Sequence, residues 1–145
     1  MSWFVVLLRL VLGVALLVAG VLKAGHVPEF AAQIAGFRLL PAALVAPLAL
    51  ALPYVEMLLG LYLVIGLFTR IVAVIVSIEF VIYAAAIASA VLRHIAANCG
   101  CFGPNDHAVA DWPHVALDLV LAALAAIVAR GAPGALALDW RLNRR

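Results

Sequence analysis

The chain has 145 residues, 69% of them hydrophobic and only 11% charged, with a formal net charge of +2. That length fits one domain, and that composition lies outside the range of soluble globular proteins. Its nine Lys and Arg residues are scattered rather than gathered into a patch, which excludes nucleic acid as a partner.

A helix needs about 20 mostly apolar residues to cross the hydrocarbon, and four runs of that kind occur. The first, about residues 3–22, is interrupted by Arg9 and closed by Lys23-Ala24-Gly25-His26. No basic segment precedes it and no A-x-A site follows it, so it is expected to be a retained helix rather than a cleaved signal. Between residues 23 and 40, Phe30, Ile34 and Phe37 recur at helical spacing with Gln33 and Arg38 on other faces. This predicts a short helix lying on the membrane interface.

The second run, about 41–68, is long enough to tilt and contains Pro47 and Pro53, which neighbouring helices can accommodate in a membrane. Thr69-Arg70 leaves room only for a tight turn before the third run, about 71–92, so these two helices are expected to be antiparallel. A polar loop, 93–112, leads to Asp111-Trp112-Pro113, where a cap, an interfacial aromatic and a helix-initiating proline open the fourth run, 113–129. Arg130-Gly131-Ala132-Pro133-Gly134 stops it, leaving a tail over 130–145.

The expected fold is an all-α membrane protein, a bundle of four transmembrane helices with a short interfacial helix between helices 1 and 2. Membrane lipid is then the partner of its outer faces. Gly13, Gly20, Gly60, Gly66 and the run Ala84-Ala85-Ala86 predict close helix packing. Arg70, Arg130, Arg141, Arg144 and Arg145, with Arg9 nearby, outnumber Lys23, Arg38 and Arg93 on the other side. The positive-inside rule therefore puts the termini and the tail in the cytoplasm and the loop 93–112 outside. The connection 23–40 lies on the same side as that loop, so the two are expected to meet.

Arg9, Glu56, Glu79 and Asp118 fall within the spans. A charge near the bilayer centre costs on the order of 2.5–3.5 kcal/mol on insertion scales, so each needs a partner or a function. Arg9 is expected to pair with Glu79 or Glu56 as a structural solution. Glu56 follows Pro53 by one turn, where a freed carbonyl and a bend line a cavity, and is the stronger functional candidate. Asp118 shares a face with His114 and either sits beneath the loop or belongs to a solvated helix end. Trp3, Tyr54, Tyr62 and Tyr83 are assigned no cofactor role.

The stretch Asn98-Cys99-Gly100-Cys101-Phe102-Gly103-Pro104-Asn105-Asp106 holds the only two cysteines. Outside the membrane such thiols meet disulfide chemistry. A ring closed across Gly100 is tight, and strained exposed disulfides tend to exchange. Arg93, His94 and His107 are placed to stabilise a thiolate. Two other readings stand beside this one: a small structural staple, weak because it closes almost no loop, and a zinc or copper site using Cys99, Cys101, His94 and His107.

Gly20-Val21-Leu22-Lys23, Phe37-Arg38-Leu39-Leu40-Pro41, Leu52-Pro53-Tyr54-Val55-Glu56 and Asn98-Cys99-Gly100-Cys101-Phe102-Gly103 together resemble the MauE family of the wider DoxX-like group. The likeness covers about residues 5–130, and the cysteine motif is its specific part. The resemblance implies a redox-associated bacterial plasma-membrane protein linked to methylamine utilisation, helping a thioredoxin-like partner form disulfides in an exported client. On that basis Cys99 and Cys101 are the exchanging pair, Glu56 is a motif residue without a fixed role, and a quinone is a candidate electron acceptor by fold-level analogy. A thiol-disulfide oxidoreductase is the enzymatic form of this expectation. A membrane scaffold or chaperone for an exported partner, and a metal-binding or small-solute transport protein, are the alternatives.

Overall fold

The computed structural model describes residues 2–99, 108–132 and 137–139. Among these residues there are five α-helices and no strand: α1 (Ser2–Ala24), α2 (Val27–Gly36), α3 (Ala42–Ile65), α4 (Thr69–Leu92) and α5 (Trp112–Gly131). All but α2 are long and apolar enough to cross a membrane. Their outward faces are as apolar as their inward ones, with Val14, Ile78 and Val120 each more than half exposed. A helix that is hydrophobic all round belongs in lipid, so this is a multi-pass membrane protein.

The boundaries move for identifiable reasons. α3 ends at Ile65 rather than 68 because Gly66 turns left-handed at φ 71° and its N–H bonds the Tyr62 carbonyl at 2.9 Å. The tight turn is therefore 66–68, and Thr69 already belongs to α4. Its first amides are capped from the far end of the chain: the Asp139 carboxylate accepts from the Phe68 N–H at 2.8 Å and the Thr69 N–H at 2.7 Å. Ala137 is buried beside this turn, so part of the segment read as a tail packs onto the bundle. α1 runs two residues past 22, which brings Lys23 into its last turn.

The interfacial helix is α2, begun by Pro28 and burying Phe30. α5 starts as its sequence predicts, with the Asp111 side chain accepting from the His114 N–H at 3.1 Å. Hydrogen bonds from His114 hold the exposed Asp111 carboxyl below the usual carboxylate range.

The bundle consists of two closely packed pairs, α1 with α3 and α4 with α5, joined by contact of α1 with α5. Leu12, Leu16, Leu63, Val76 and Val128 fill the centre. α3 and α4, although joined by the tight turn, touch only weakly. α2 packs on α3 over that looser side.

Close approach fixes the register of α1 on α3. A Cβ on Gly13 would lie 2.8 Å from the Gly60 carbonyl oxygen, and one on Gly20 would lie 2.6 Å from that of Pro53. The backbones touch where the sequence has no side chains to separate them.

Candidate functional site

Four polar side chains converge inside the membrane-spanning region. Lys23 Nζ, from the last turn of α1, donates to Glu56 of α3 at 2.7 Å (Oε1) and 2.9 Å (Oε2). Tyr83 of α4 donates its hydroxyl to Glu56 Oε1 at 2.6 Å and lies 3.2 Å from Oε1 of Glu79, one turn earlier on the same helix. The ammonium also sits 5.3 Å from the ring centre of Phe30 and 5.6 Å from that of Tyr83. Lys23 and Glu56 are only 3% and 1% exposed, so the pair is buried within the protein.

Arg9 was expected to pair with Glu79 or Glu56, and the structure places Lys23 against Glu56 instead. The glycine contacts set an antiparallel register in which Gly20 faces Pro53 and Met57, Gly13 faces Gly60 and Val64, and Arg9 faces Gly66. Lys23, not Arg9, is thereby brought level with Glu56. Arg9 is about 21 Å further along α1, taking fourteen residues at 1.5 Å each. There it is buried at the α3–α4 turn, under the electrostatic influence of Asp139. Glu79 joins Glu56 through Tyr83.

Asp118 is buried on α5, which rules out a solvated helix end, and its Oδ2 has no hydrogen-bond partner among the described residues. His114 turns to Asp111 instead of Asp118.

The loop begins as an ordered extension of α4. The Cys99 N–H donates to the Ala108 carbonyl and the Ala110 N–H to that of Ala97, each at 2.8 Å, around an isolated antiparallel bridge between Asn98 and Val109. Ala97 and Ala110 are buried against Ile87 and Val115, with Cys99 packed beside them. Cys101 and His107 lie outside the described residues.

Arg93 fastens this loop to the other extramembrane connection, as expected from their common side. Its guanidinium donates to the carbonyls of Phe37 and Arg38 and, through Nε, to Ser89. Those bonds commit Arg93 to the carbonyl oxygens of Phe37, Arg38 and Ser89 and to the Ser89 hydroxyl. His94 is exposed, with a left-handed φ of 53°.

Above the polar cluster is a cavity of about 280 Å³ between α3 and α4, roofed by α2 and the 37–40 connection. Its walls are apolar apart from Lys23, Tyr83 and Cys99. Cys99 and the polar cluster, 43 residues apart between Glu56 and Cys99, thus border one space.

Lys23, Tyr83 and Phe30 were not singled out from the sequence as parts of one site. Their signals are local: Lys23 follows Gly20 by three residues and so shares its inward face, and Tyr83 follows Glu79 by four.

The family model described as "Methylamine utilisation protein MauE" matches residues 1–131. The methylamine utilization protein MauE of Paracoccus denitrificans is 36% identical over 129 residues, covering 88% of this chain and 69% of that protein. No solved structure matches.

Proposed function

The chain belongs to the MauE family, and from that membership we propose that this multi-pass membrane protein is a thiol-disulfide redox component serving methylamine utilisation. Cys99 and Cys101 cycle between dithiol and disulfide, exchanging with an exported thioredoxin-like protein or a disulfide-containing client. The loop faces the extracytoplasmic side of a bacterial plasma membrane, as the distribution of Arg residues favours.

The observation that carries this reading is the setting of Cys99. It is not a free thiol, and it is half-buried at the rim of an apolar cavity on a loop fastened by the Arg93 clasp. A cysteine held this way combines access from outside with a dry flank. Exchange requires attack by a thiolate on a disulfide sulfur and passage through a mixed disulfide, so one sulfur must remain reachable while its neighbour resolves the adduct.

In the test, Cys99→Ser and Cys101→Ser are assayed for oxidation of the exported client in membranes. Both variants are expected to fall to background, and one of them to accumulate a mixed disulfide with the partner, seen on a non-reducing gel. Wild-type client oxidation by both variants, with the partner still bound, would replace this reading with a scaffold whose cysteines are incidental.

A further inference from the structure

The cavity has a composition that selects its occupant. Leu48 of α3 and Ile82 of α4 line it, yet they are 37% and 59% exposed on the lipid-facing surface, and α3 and α4 touch only weakly between them. The space is thus open sideways to the bilayer, beneath α2. At about 280 Å³ it is close to the lower end of ligand pockets, enough for a ring with its apolar tail left in the lipid.

The polar groups then specify the head of the ligand. An ammonium has three N–H donors. Two from Lys23 reach the Glu56 oxygens, and the rest of the group faces the rings of Phe30 and Tyr83 at the cavity wall, with no further oxygen acceptor among the described residues. An occupant with a hydrogen-bond-accepting oxygen on an otherwise apolar ring would complete the shell of Lys23. The rings of Phe30 and Tyr83 flank the same position.

We propose that this cavity is the binding site of a lipid-soluble quinone, entering between α3 and α4, held at one carbonyl by Lys23, and accepting the electrons of the cysteine pair through Cys99. The proposal rests on the thiol-disulfide reading above. In the step the two thiols lose two protons and two electrons, one S–S bond forms, and the quinone is reduced to the quinol, its two carbonyl oxygens each gaining a proton. Electrons and protons balance with no other reactant. Tyr83 stands between two carboxylates with a single phenolic proton to offer them, so Glu56, Tyr83 and Glu79 form a short chain along which a proton can move from one carboxylate to the other beside the cavity.

The experiment is photolabelling of the full chain in lipid nanodiscs with a short-chain azido-ubiquinone, followed by peptide mapping and competition with decylubiquinone or oleate. The expected result is label on residues 48–52 and 82–87, competed by decylubiquinone and not by oleate. Labelling should fall roughly tenfold or more, at least 1.4 kcal/mol of affinity, in Ala86→Phe, which fills the cavity from α4. Lys23→Met should lower it as well, and Ala86→Phe keeps the test decisive should that variant not fold.

Thiol tagging in the same samples separates the two readings. Label in the cavity with two thiols lost per quinone reduced supports the proposal. Label there with no thiol loss overturns the acceptor role, and only thiols that also fail to exchange with glutathione overturn the exchanging pair. Thiols that exchange with glutathione while label is absent, or is displaced equally by oleate, overturn the quinone site and leave the thiol reading intact.

Discussion

Lys23→Met is expected to cost on the order of 3–5 kcal/mol and to remove most of the folded protein from the membrane, because it leaves Glu56 as a buried charge with its main partner gone. Glu56 is 1% exposed, so neither water nor a lipid headgroup can replace the ammonium. The Tyr83 hydroxyl would remain its one described donor, and that same proton is also within reach of Glu79. The expected loss is therefore larger than that from an exposed ion pair, for which about 0–1 kcal/mol is typical. Combining Lys23→Met with Glu56→Leu removes both charges, and a substantial part of the stability should return. Thermal midpoints and size-exclusion profiles in detergent of the single and double variants measure the difference. A single variant as stable as wild type would contradict the buried pair.

The second large effect is expected for Gly60→Val. A Cβ at Gly60 would lie 2.6 Å from the Gly13 carbonyl oxygen and 2.9 Å from the Leu17 amide nitrogen, so α1 and α3 must separate to admit it. Overpacking of this kind costs about 1–3 kcal/mol in an ordinary core, and more where backbone is what must move. The displaced register also reaches the site, because the same crossing brings Lys23 to Glu56. Gly36 is the control: nothing lies within 4 Å of a Cβ there, and Gly36→Ala should stay within about 0.5 kcal/mol of wild type. Unfolding of the two variants in the same detergent checks the contrast, and a Gly60→Val protein matching Gly36→Ala would refute the close crossing.

The spans were legible because hydrophobicity is read by length alone. All four runs became helices, and the periodicity of Phe30, Ile34 and Phe37 marked α2. The caps were only half visible. Asp111 announced α5 from three residues away, whereas the cap of α4 comes from Asp139, 70 residues later, and no local pattern encodes it.

The site shows the same division between local and distant information. Glu56 stood out as a carboxylate in an apolar run. Its partner did not, because the choice between Arg9 and Lys23 depends on the antiparallel register of α1 against α3, which Gly13, Gly20 and Gly60 set jointly. Tyr83 looked like one more membrane aromatic until α4 was placed across from Glu56. The nearness of Cys99 to this cluster depends on α2 roofing a gap between two weakly touching helices, a property of the whole bundle.

The account stands most directly on the redox behaviour of the cysteine pair in its own membrane. Free thiols should be mass-tagged after equilibration in buffers of graded glutathione or dithiothreitol poise. A reversible two-electron transition of the Cys99/Cys101 pair between about −120 and −270 mV, the span of known thiol oxidoreductases, is the predicted result. A pair that remains untagged at every poise until a chelator is added, or that stays oxidised far below that span, would contradict an exchanging disulfide.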